Sequence, residues 1–410
     1  MHDTAPRVPP WWTARPALLR FVADLLAGEL AALRHDSAIR PGTWTEALSL
    51  QHDLGLDSLE FLHVAGALAA ALQMQHSGIE DYLLVRRTLG EWVDIAGAAL
   101  QHRSSDMLFS TSGSTGQPKR CLHAMDTLEQ EAQALAALFP GRRRVLAAVP
   151  SHHIYGFLFS QLLPRHLGLA PERVVCIRAR LPAQLAHHAQ PGDLVIGHPQ
   201  FWEAATASAP DFAPDVVGVS STAPCPDAVG SAAERSGLAS LFQIYGSSET
   251  GGLGWRSSHR DDYRLFPWLA RADGDGRTVH RILPDGRSEA LPVQDGLHWS
   301  GARSFALGPR RDGAVQVGGI NVFPARVRQV LLEHPDVADA AVRLMRPDEG
   351  ARLKAFIVPR PGVDGGPDFV GTLRGWTDAR LATPERPKAF TIGSALPRNA
   401  MGKAADWSIG

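Results

Sequence analysis

The sequence predicts an α/β protein with a mainly parallel sheet, a small all-α domain before it and a small α+β domain after it. Three observations carry that reading. Residues 104–309 alternate short apolar runs with helical patterns, as strands covered by helices on both faces require. Residues 1–103 place apolar residues at helical spacing. Residues 310–410 mix hairpin-like apolar pairs with helical stretches. A chain of 410 residues with 44% hydrophobic composition has ample core for several domains. Its net charge of −1 gives no electrostatic reason to bind nucleic acid or an anionic membrane. Cys121, Cys176 and Cys225 stand apart, without metal-ligand or redox spacing, so a reducing cytoplasmic setting is expected. Pro9-Pro10-Trp11-Trp12 is unlike a basic segment leading into an apolar core, so no signal peptide is expected. No apolar run reaches ~18 residues, so no membrane span is expected.

The chain begins with an amphipathic pattern over 16–33, where Leu19, Val22, Leu25, Leu26, Leu30 and Leu33 fall near helical spacing. A loop with Pro41-Gly42 follows, then Asp53-Leu54-Gly55-Leu56-Asp57-Ser58-Leu59-Glu60-Phe61. Asp57 or Ser58 is a natural N-cap for a helix from Leu59 to about Met74, and a third helix is expected over 89–100. The segment 1–103 resembles an acyl carrier protein, and the resemblance implies phosphopantetheine on Ser58. The surface after Glu60, with His63 and the run Ala65 to Leu72, suits packing against a neighbouring domain. The alternative is therefore a carrier-like domain kept for structure, with Asp57-Ser58 as a helix cap.

After Leu108 and Phe109, which end a strand-like run, comes Ser110-Thr111-Ser112-Gly113-Ser114-Thr115-Gly116-Gln117-Pro118-Lys119. Glycines let backbone N–H groups approach polyanionic oxygens, hydroxyls donate further hydrogen bonds, and lysine adds a charge. The Walker pattern is absent, and Pro118 forbids an immediate helix interior. A plain Ser/Gly linker is the alternative. A helix over 127–138 is followed by strands at 145–149, 174–177, 194–197 and 216–221. In such sheets ligands bind beyond the carboxyl ends of the strands, where Pro150-Ser151-His152-His153-Ile154-Tyr155-Gly156 and His198-Pro199 stand. Farther on, Ile244-Tyr245-Gly246-Ser247-Ser248-Glu249-Thr250-Gly251 offers an aromatic for a base, hydroxyls for phosphate and a carboxylate for Mg²⁺.

Together the loop, His153-Ile154-Tyr155-Gly156 and Tyr245 to Glu249 resemble the adenylate-forming superfamily of acyl- and aryl-CoA ligases, luciferases and nonribosomal adenylation domains. The resemblance covers about residues 106–410 and implies a shortened adenylate-forming core over 104–309 with a mobile cap over 310–410. It makes Ser110 to Lys119 the loop over the ATP phosphates. Tyr245 and Gly246 line the adenine and acyl pocket, Ser247 and Ser248 lie at the α-phosphate, and Glu249 holds Mg²⁺. His153 becomes the gate between the acid pocket and the thiol tunnel. A satisfied buried histidine is the plainer alternative. The family's ribose carboxylate lies before a Gly-Arg-x-Asp hinge; here Arg310-Arg311-Asp312 supplies the hinge, with Pro309 for the usual glycine. Counting back about fifteen residues from Arg310 gives Asp295, whose carboxylate is able to accept both ribose hydroxyls. A turn residue of Asp295-Gly296 is the alternative.

In the last segment Val315 to Pro324 reads as a hairpin-like pair, 325–334 as a helix, and 338–345 and 355–358 as strands. Leu396-Pro397-Arg398-Asn399-Ala400-Met401-Gly402-Lys403 resembles the family's terminal motif, which makes Lys403 the lysine of the adenylation site. The resemblance implies two half-reactions. A carboxylate attacks the ATP α-phosphate and releases pyrophosphate; then the cap turns about Asp312 and a thiol attacks the acyl-AMP. The family's usual long segment before the loop is missing, so the acid pocket is expected to be shallow or built differently. Tyr155, Gly156, His198, Ser221, Ala223, Gly251 and Trp255 are its expected lining, with a hydroxybenzoate-like acid preferred to a long fatty acid. In style the chain is similar to aryl acid:carrier-protein ligases of aryl polyene and xanthomonadin-type pathways. A carrier phosphopantetheine is then the acceptor and CoA the runner-up. A non-catalytic carrier or interaction protein is the alternative of another class.

Overall fold

Strand β5 shows how the sequence builds the body. In Asp193–Gly197, Leu194 and Ile196 point to one face and Val195 to the other, and all are fully buried. A strand hydrophobic on both faces needs cover on both, and the fold provides it. The computed structural model describes residues 8–34, 41, 44–111, 119–272, 274, 276–310, 313–318, 320–346, 348–397 and 405–409, with backbone only at 111, 309 and 310.

Three N-terminal helices come first: α1 (Arg15–Arg34), α2 (Ser58–Ala71) and α3 (Leu89–His102). Asp57 caps α2 by accepting from the N–H groups of Leu59 and Glu60, both at 2.8 Å, and Glu60 completes a capping box. The ladder of β1 (Asp106–Thr111) with β2 (Lys119–Ala124) follows, then α4 (Met125–Leu138). β3 (Arg144–Ala147) leads into α5 (Ile154–Phe157), a π-turn at Leu158–Leu162 and α6 (Leu163–His166). β4 (Val174–Cys176), α7 (Leu185–His188), β5, α8 (Pro199–Thr206), β6 (Val217–Ser220), α9 (Asp227–Arg235) and β7 (Ser240–Ser247) alternate as expected. The chain then turns back through β8 (Gly251–Arg256) and β9 (Tyr263–Leu265). A separate three-stranded antiparallel sheet holds β10 (Leu269–Arg271), β11 (Thr278–Ile282) and β12 (Ser288–Pro292), and β13 (Asp295–Trp299) and β14 (Ser304–Arg310) rejoin the large sheet.

Among the described residues the large sheet has the order β13-β14-β9-β8-β7-β6-β5-β3-β4. It is mixed, which corrects the expected mainly parallel arrangement. Strands from β4 to β7 are parallel, and β7, β8, β9 and β14 pair antiparallel. The helices of 154–235 supply the long crossovers that parallel pairing needs, whereas a short turn at Ser248–Thr250 folds β8 straight back on β7.

The helices of 1–103, expected as a separate carrier-like domain, share one core with the sheet. Phe21, Val22, Leu26, Val64, Leu68 and Trp92 lie in the same buried cluster as Val145, Leu194 and Ile196. Residues 1–111 and 119–309 make one compact unit. The physical reason is composition: α1 has buried residues all round, including Asp24, and such a helix needs neighbours on more than one side. The opposite face of the sheet is covered through Leu146, Val195, Trp202 and Leu241.

The second unit begins at Arg310. It contains the hairpin β15 (Val315–Val317) and β16 (Ile320–Val322), helix α10 (Pro324–Leu332), and a sheet of β17 (Val337–Leu344), β18 (Leu353–Pro359) and β19 (Ala389–Ile392), with α11 (Pro367–Asp378) before β19. Its own core joins Val327, Leu331, Ala355, Ile357 and Leu373.

Candidate active site

The carboxyl ends of β3, β5, β6 and β7 lie along one edge of the sheet, because these strands are parallel and adjacent. On the β7 side the ladder of β7 and β8 is unusually close at Gly246. A Cβ there would stand 2.3 Å from the Gly251 carbonyl, so only glycine fits. The following turn presents Glu249. Its Oε1 accepts from Lys119 Nζ at 2.6 Å, which joins the end of the Ser/Gly/Lys loop to the expected metal carboxylate. Burial pulls Glu249 upward, but the hydrogen bonds from Lys119, its own backbone and Ser247 outweigh it and hold the carboxyl below the usual range.

Tyr245 donates its hydroxyl proton to Asp295 Oδ2 at 2.8 Å, so the expected adenine-side aromatic and the expected ribose carboxylate are neighbours. Ser247 and Thr250 bond to each other through their hydroxyls at 3.1 Å. Behind this turn stands His123 of β2, whose Nε2 lies 2.6 Å from the Ser248 carbonyl and whose pKa is lowered by burial. Below it, Glu131 of α4 accepts from Gly252 N at 2.9 Å. Arg281 of β11 donates to the carbonyls of Thr250 and Thr127 and lies 4.0 Å from Glu131. Burial pushes the Glu131 carboxyl up to about 7 despite that guanidinium. His123, Glu131 and Arg281 escaped the sequence reading, since nothing local marks a histidine or an i+4 carboxylate as a support for a distant turn.

The β3 side is built differently. Gly156 of α5 lies close against the Pro150 carbonyl; a Cβ would stand 1.9 Å from that oxygen. Tyr155 donates to the carbonyls of Gly197 at 3.0 Å and Val219 at 3.3 Å, so it spans the ends of β5 and β6. His198 caps α8, with Nδ1 accepting from Phe201 N at 3.4 Å. The rings of His152 and His153 lie 4.1 Å apart. Desolvation pushes both below the usual imidazole pKa, His153 to about 4, with Arg178 adding to the effect. The His153 ring is water-accessible, so solvent screening tempers the shift; the direction is a histidine neutral at pH 7.

That pair is held from behind by α1. Asp24 accepts from Ser151 N and Ser151 Oγ, both at 2.7 Å, and pairs with Arg178. Gly28 lies under His152, where a Cβ would meet the ring at 2.7 Å. Neither residue was legible as part of a site.

Of the other expected lining, Ser221 turns its hydroxyl to the Ile244 carbonyl at 2.8 Å, and half-buried Trp255 packs beside Phe242. Gly251 faces Glu131. Ala223 follows Thr222, a β-branched residue with φ of 78°, which the sequence reading also missed. Such a conformation persists only where its surroundings impose it, and it lies two residues beyond the end of β6. Ser110 is exposed at the end of β1, and Thr111 pairs with Lys119 in the ladder. Ser112, Gly113, Ser114, Thr115, Gly116, Asp312 and Lys403, and the side chains of Thr111 and Arg310, lie outside the described residues. Ser58 is the exposed first residue of α2, and the cap is Asp57.

Comparison with known proteins places the chain in a family. The AMP-binding enzyme family matches residues 89–270, and the AMP-binding enzyme C-terminal domain matches 327–403. A 4-coumarate–CoA ligase of Cereibacter sphaeroides is 41% identical over 86% of this chain and 84% of its own length. The chain belongs to the AMP-binding enzyme family. A 4-coumarate–CoA ligase of Halorhodospira halophila is 38% identical over 94% of this chain and 97% of its own length. The fold is shared with o-succinylbenzoate CoA synthetase of Bacillus subtilis (TM-score 0.58, 22% identity, 73% of this chain and 67% of that one). It is shared equally with an amide bond synthetase of Marinactinospora thermotolerans (TM-score 0.58, 20% identity, 94% and 92%). The protein is an AMP-forming acid–thiol ligase that activates a carboxylic acid with ATP. No helix among the described residues is long and apolar enough to cross a membrane.

Proposed function

We propose that this ligase activates a hydroxylated aryl acid of the 4-coumarate kind and passes it to the thiol of CoA. The observation that carries the reading is the ion pair of Lys119 with Glu249, 130 residues apart, beside the Tyr245–Asp295 pair. It brings together at one sheet edge the residues proposed for phosphate, metal and ribose, and the neutral Tyr155, His153 and His198 stand along the same edge. The names of the 38–41% identical relatives support a hydroxycinnamate in place of the hydroxybenzoate first expected, and CoA in place of a carrier thiol.

The acid's carboxylate oxygen forms a bond to the α-phosphorus of ATP as pyrophosphate leaves. The thiol sulfur then bonds to the acyl carbon as AMP leaves with the electron pair of the acyl–oxygen bond, and the thiol proton passes to the solvent. Lys119 and Lys403 balance charge on the phosphates and the carboxylate, Asp295 holds the ribose, and Tyr245 flanks the base. Neutral His153 shields the carboxyl from water and leaves a path for the thiol. Glu249 fits Mg²⁺, being ionised, about one-third exposed and one of few protein ligands such an ion needs beside phosphates. The ion, when bound, supplies positive charge to the phosphates. Among the described residues no group of three or more acidic, His or Cys side chains forms a self-contained metal site.

ATP–pyrophosphate exchange with 4-coumarate, 4-hydroxybenzoate and decanoate tests the acid; thioester formation with CoA against a phosphopantetheinylated carrier tests the acceptor. The highest exchange is expected with 4-coumarate, and thioester with CoA. Silence on every acid would overturn the reading and favour an interaction protein. Carrier-only thioester would restore the carrier acceptor, and mass spectrometry after phosphopantetheinyl transfer decides Ser58.

A further inference from the structure

Three buried side chains hold the backbone of the turn that carries Glu249, and none is near it in sequence. His123 Nε2 of β2 lies 2.6 Å from the Ser248 carbonyl, on the peptide that leads into Glu249. Arg281 of β11 donates through Nη1 to the Thr250 carbonyl at 3.4 Å, just beyond it. Glu131 of α4 accepts from Gly252 N at 2.9 Å. The three side chains belong to residues 7%, 4% and 1% exposed, so each has left water to make its contact with the turn.

The glycine pair after the turn shows how closely the carboxylate is fitted. A Cβ on Gly251 would stand 2.7 Å from Glu131 Oε2, and one on Gly252 2.4 Å from Glu131 Oε1. Glu131 is therefore seated against backbone that two successive glycines leave bare. Nor is its pairing with Arg281 arranged for the pair's own sake. The two groups stand 4.0 Å apart, beyond hydrogen-bonding reach. Their hydrogen bonds go instead to the turn and, from Arg281 Nη2, to the Thr127 carbonyl at 3.1 Å. A buried ion pair needs close, direct geometry to offset its desolvation, and this one gives up that geometry to reach the backbone between β7 and β8.

We propose that His123, Glu131 and Arg281 position Glu249 for the metal ion of the adenylation step. The inference rests on the reading of Glu249 as the Mg²⁺ carboxylate. The Glu249 side chain is about one-third exposed, so packing does not fix it, and its place is set by the backbone beneath. Mg²⁺ demands near-ideal octahedral geometry, and with few protein ligands it is sensitive to where each one stands. Groups that orient a ligand from behind tune the affinity of the ion they never touch. His123, Glu131 and Arg281 are positioning residues in this sense; they act through Glu249.

The test uses the full chain and two readouts. ATP–pyrophosphate exchange with 4-coumarate gives the half-activating Mg²⁺ concentration and the KM for the acid. Water-proton relaxation of Mn²⁺ with ATP and no acid gives metal affinity without turnover. Glu131→Ala is expected to raise the Mg²⁺ requirement and weaken Mn²⁺ binding by about tenfold or more, with KM for 4-coumarate within about twofold. Glu131→Gln keeps an acceptor for Gly252 N and should recover most of both. His123→Ala leaves the buried pair in place and should shift both readouts the same way by about threefold or more, so it decides the matter if Glu131→Ala does not fold. Metal readouts unchanged in either folded alanine variant, a KM for 4-coumarate raised as much as the Mg²⁺ requirement, or Glu131→Gln no better than Glu131→Ala overturns the proposal. Glu249→Gln is the reference; an unaltered Mg²⁺ requirement there overturns the underlying reading and the proposal with it.

Discussion

The two sides of the sheet edge handle charge in opposite ways. On the β7 side the side chains are ionised, paired and half-exposed: Lys119 and Glu249 are 51% and 34% exposed. On the β3 side the imidazoles of His152 and His153 are held neutral, and they are braced by Asp24 of α1, a helix more than a hundred residues upstream, which is paired with Arg178. On the proposed reading of the site, the difference follows from the ligands. Phosphates and a metal bring their own charge, so their receptors are able to wait in water. An aryl acid brings an apolar ring, so its receptor has to be shaped by packing before it arrives.

The strongest way to break this contrast is Glu249→Gln. It should lower pyrophosphate exchange by about 10²- to 10³-fold, as loss of one preorganised charged group does, while leaving the unfolding midpoint in urea nearly unchanged because the site is exposed. A loss below tenfold would show that this side depends on packing after all.

Asp24→Ala probes the other side and should behave in reverse. Removing a buried carboxylate from Arg178, Ser151 N and Ser151 Oγ should cost about 3–5 kcal/mol of unfolding free energy. The surviving fold should show a higher KM for the acid with KM for ATP unchanged. Equal changes in both would mean that α1 supports the whole sheet edge and not the acid side.

Glu131→Gln sharpens the comparison through pH. The folded-state carboxyl sits at about 7, above the usual 4.5 of the unfolded chain. The native state therefore binds the extra proton between these values. Glu131 contributes stability that is fully present below pH 4.5 and lost as pH rises through 7. Relative to Glu131→Gln, the natural protein should lose on the order of 2–3 kcal/mol across that window, read from urea titrations at several pH values. A pH-independent difference would mean that Glu131 stays ionised against Arg281.

His153→Gln is the mildest change. The lowered pKa means that the unfolded chain binds a proton before the folded one does. His153 thus contributes stability present above pH 6.5 and lost as pH falls through 4. Between pH 6.5 and 8 the acid KM of the natural enzyme should vary by less than about twofold, because the ring stays neutral. A KM that follows an ionisation near 6.5 would place a charged imidazole at the gate.

The legibility of the site divides along the same line. Lys119, Tyr245 and Glu249 could be named from the sequence because polyanion binding uses short runs of glycine, hydroxyl and charge, and these are local. Asp295 could be named by its spacing to the expected hinge. His123, Glu131, Arg281, Thr222 and Asp24 were not, because each acts through a neighbour remote in sequence or through a backbone angle. The strands and helices were largely readable from periodicity. The mixed character of the sheet was not, since the reversal at Ser248–Thr250 lies inside a motif that reads as binding chemistry.

By itself, then, the sequence determined the alternation of elements and a boundary near residue 310, and it singled out the residues proposed for the phosphate side. These depend on period, composition and contiguous motifs. Tertiary structure alone decided that the helices of 1–103 enter the core of the body, that α1 braces the acid side, and that Glu131 and Arg281 meet behind the turn at Ser248–Thr250. Each of these depends on which surfaces meet after collapse, and a helix apolar all round or a carboxylate in a helix says only that it needs a partner, not which one.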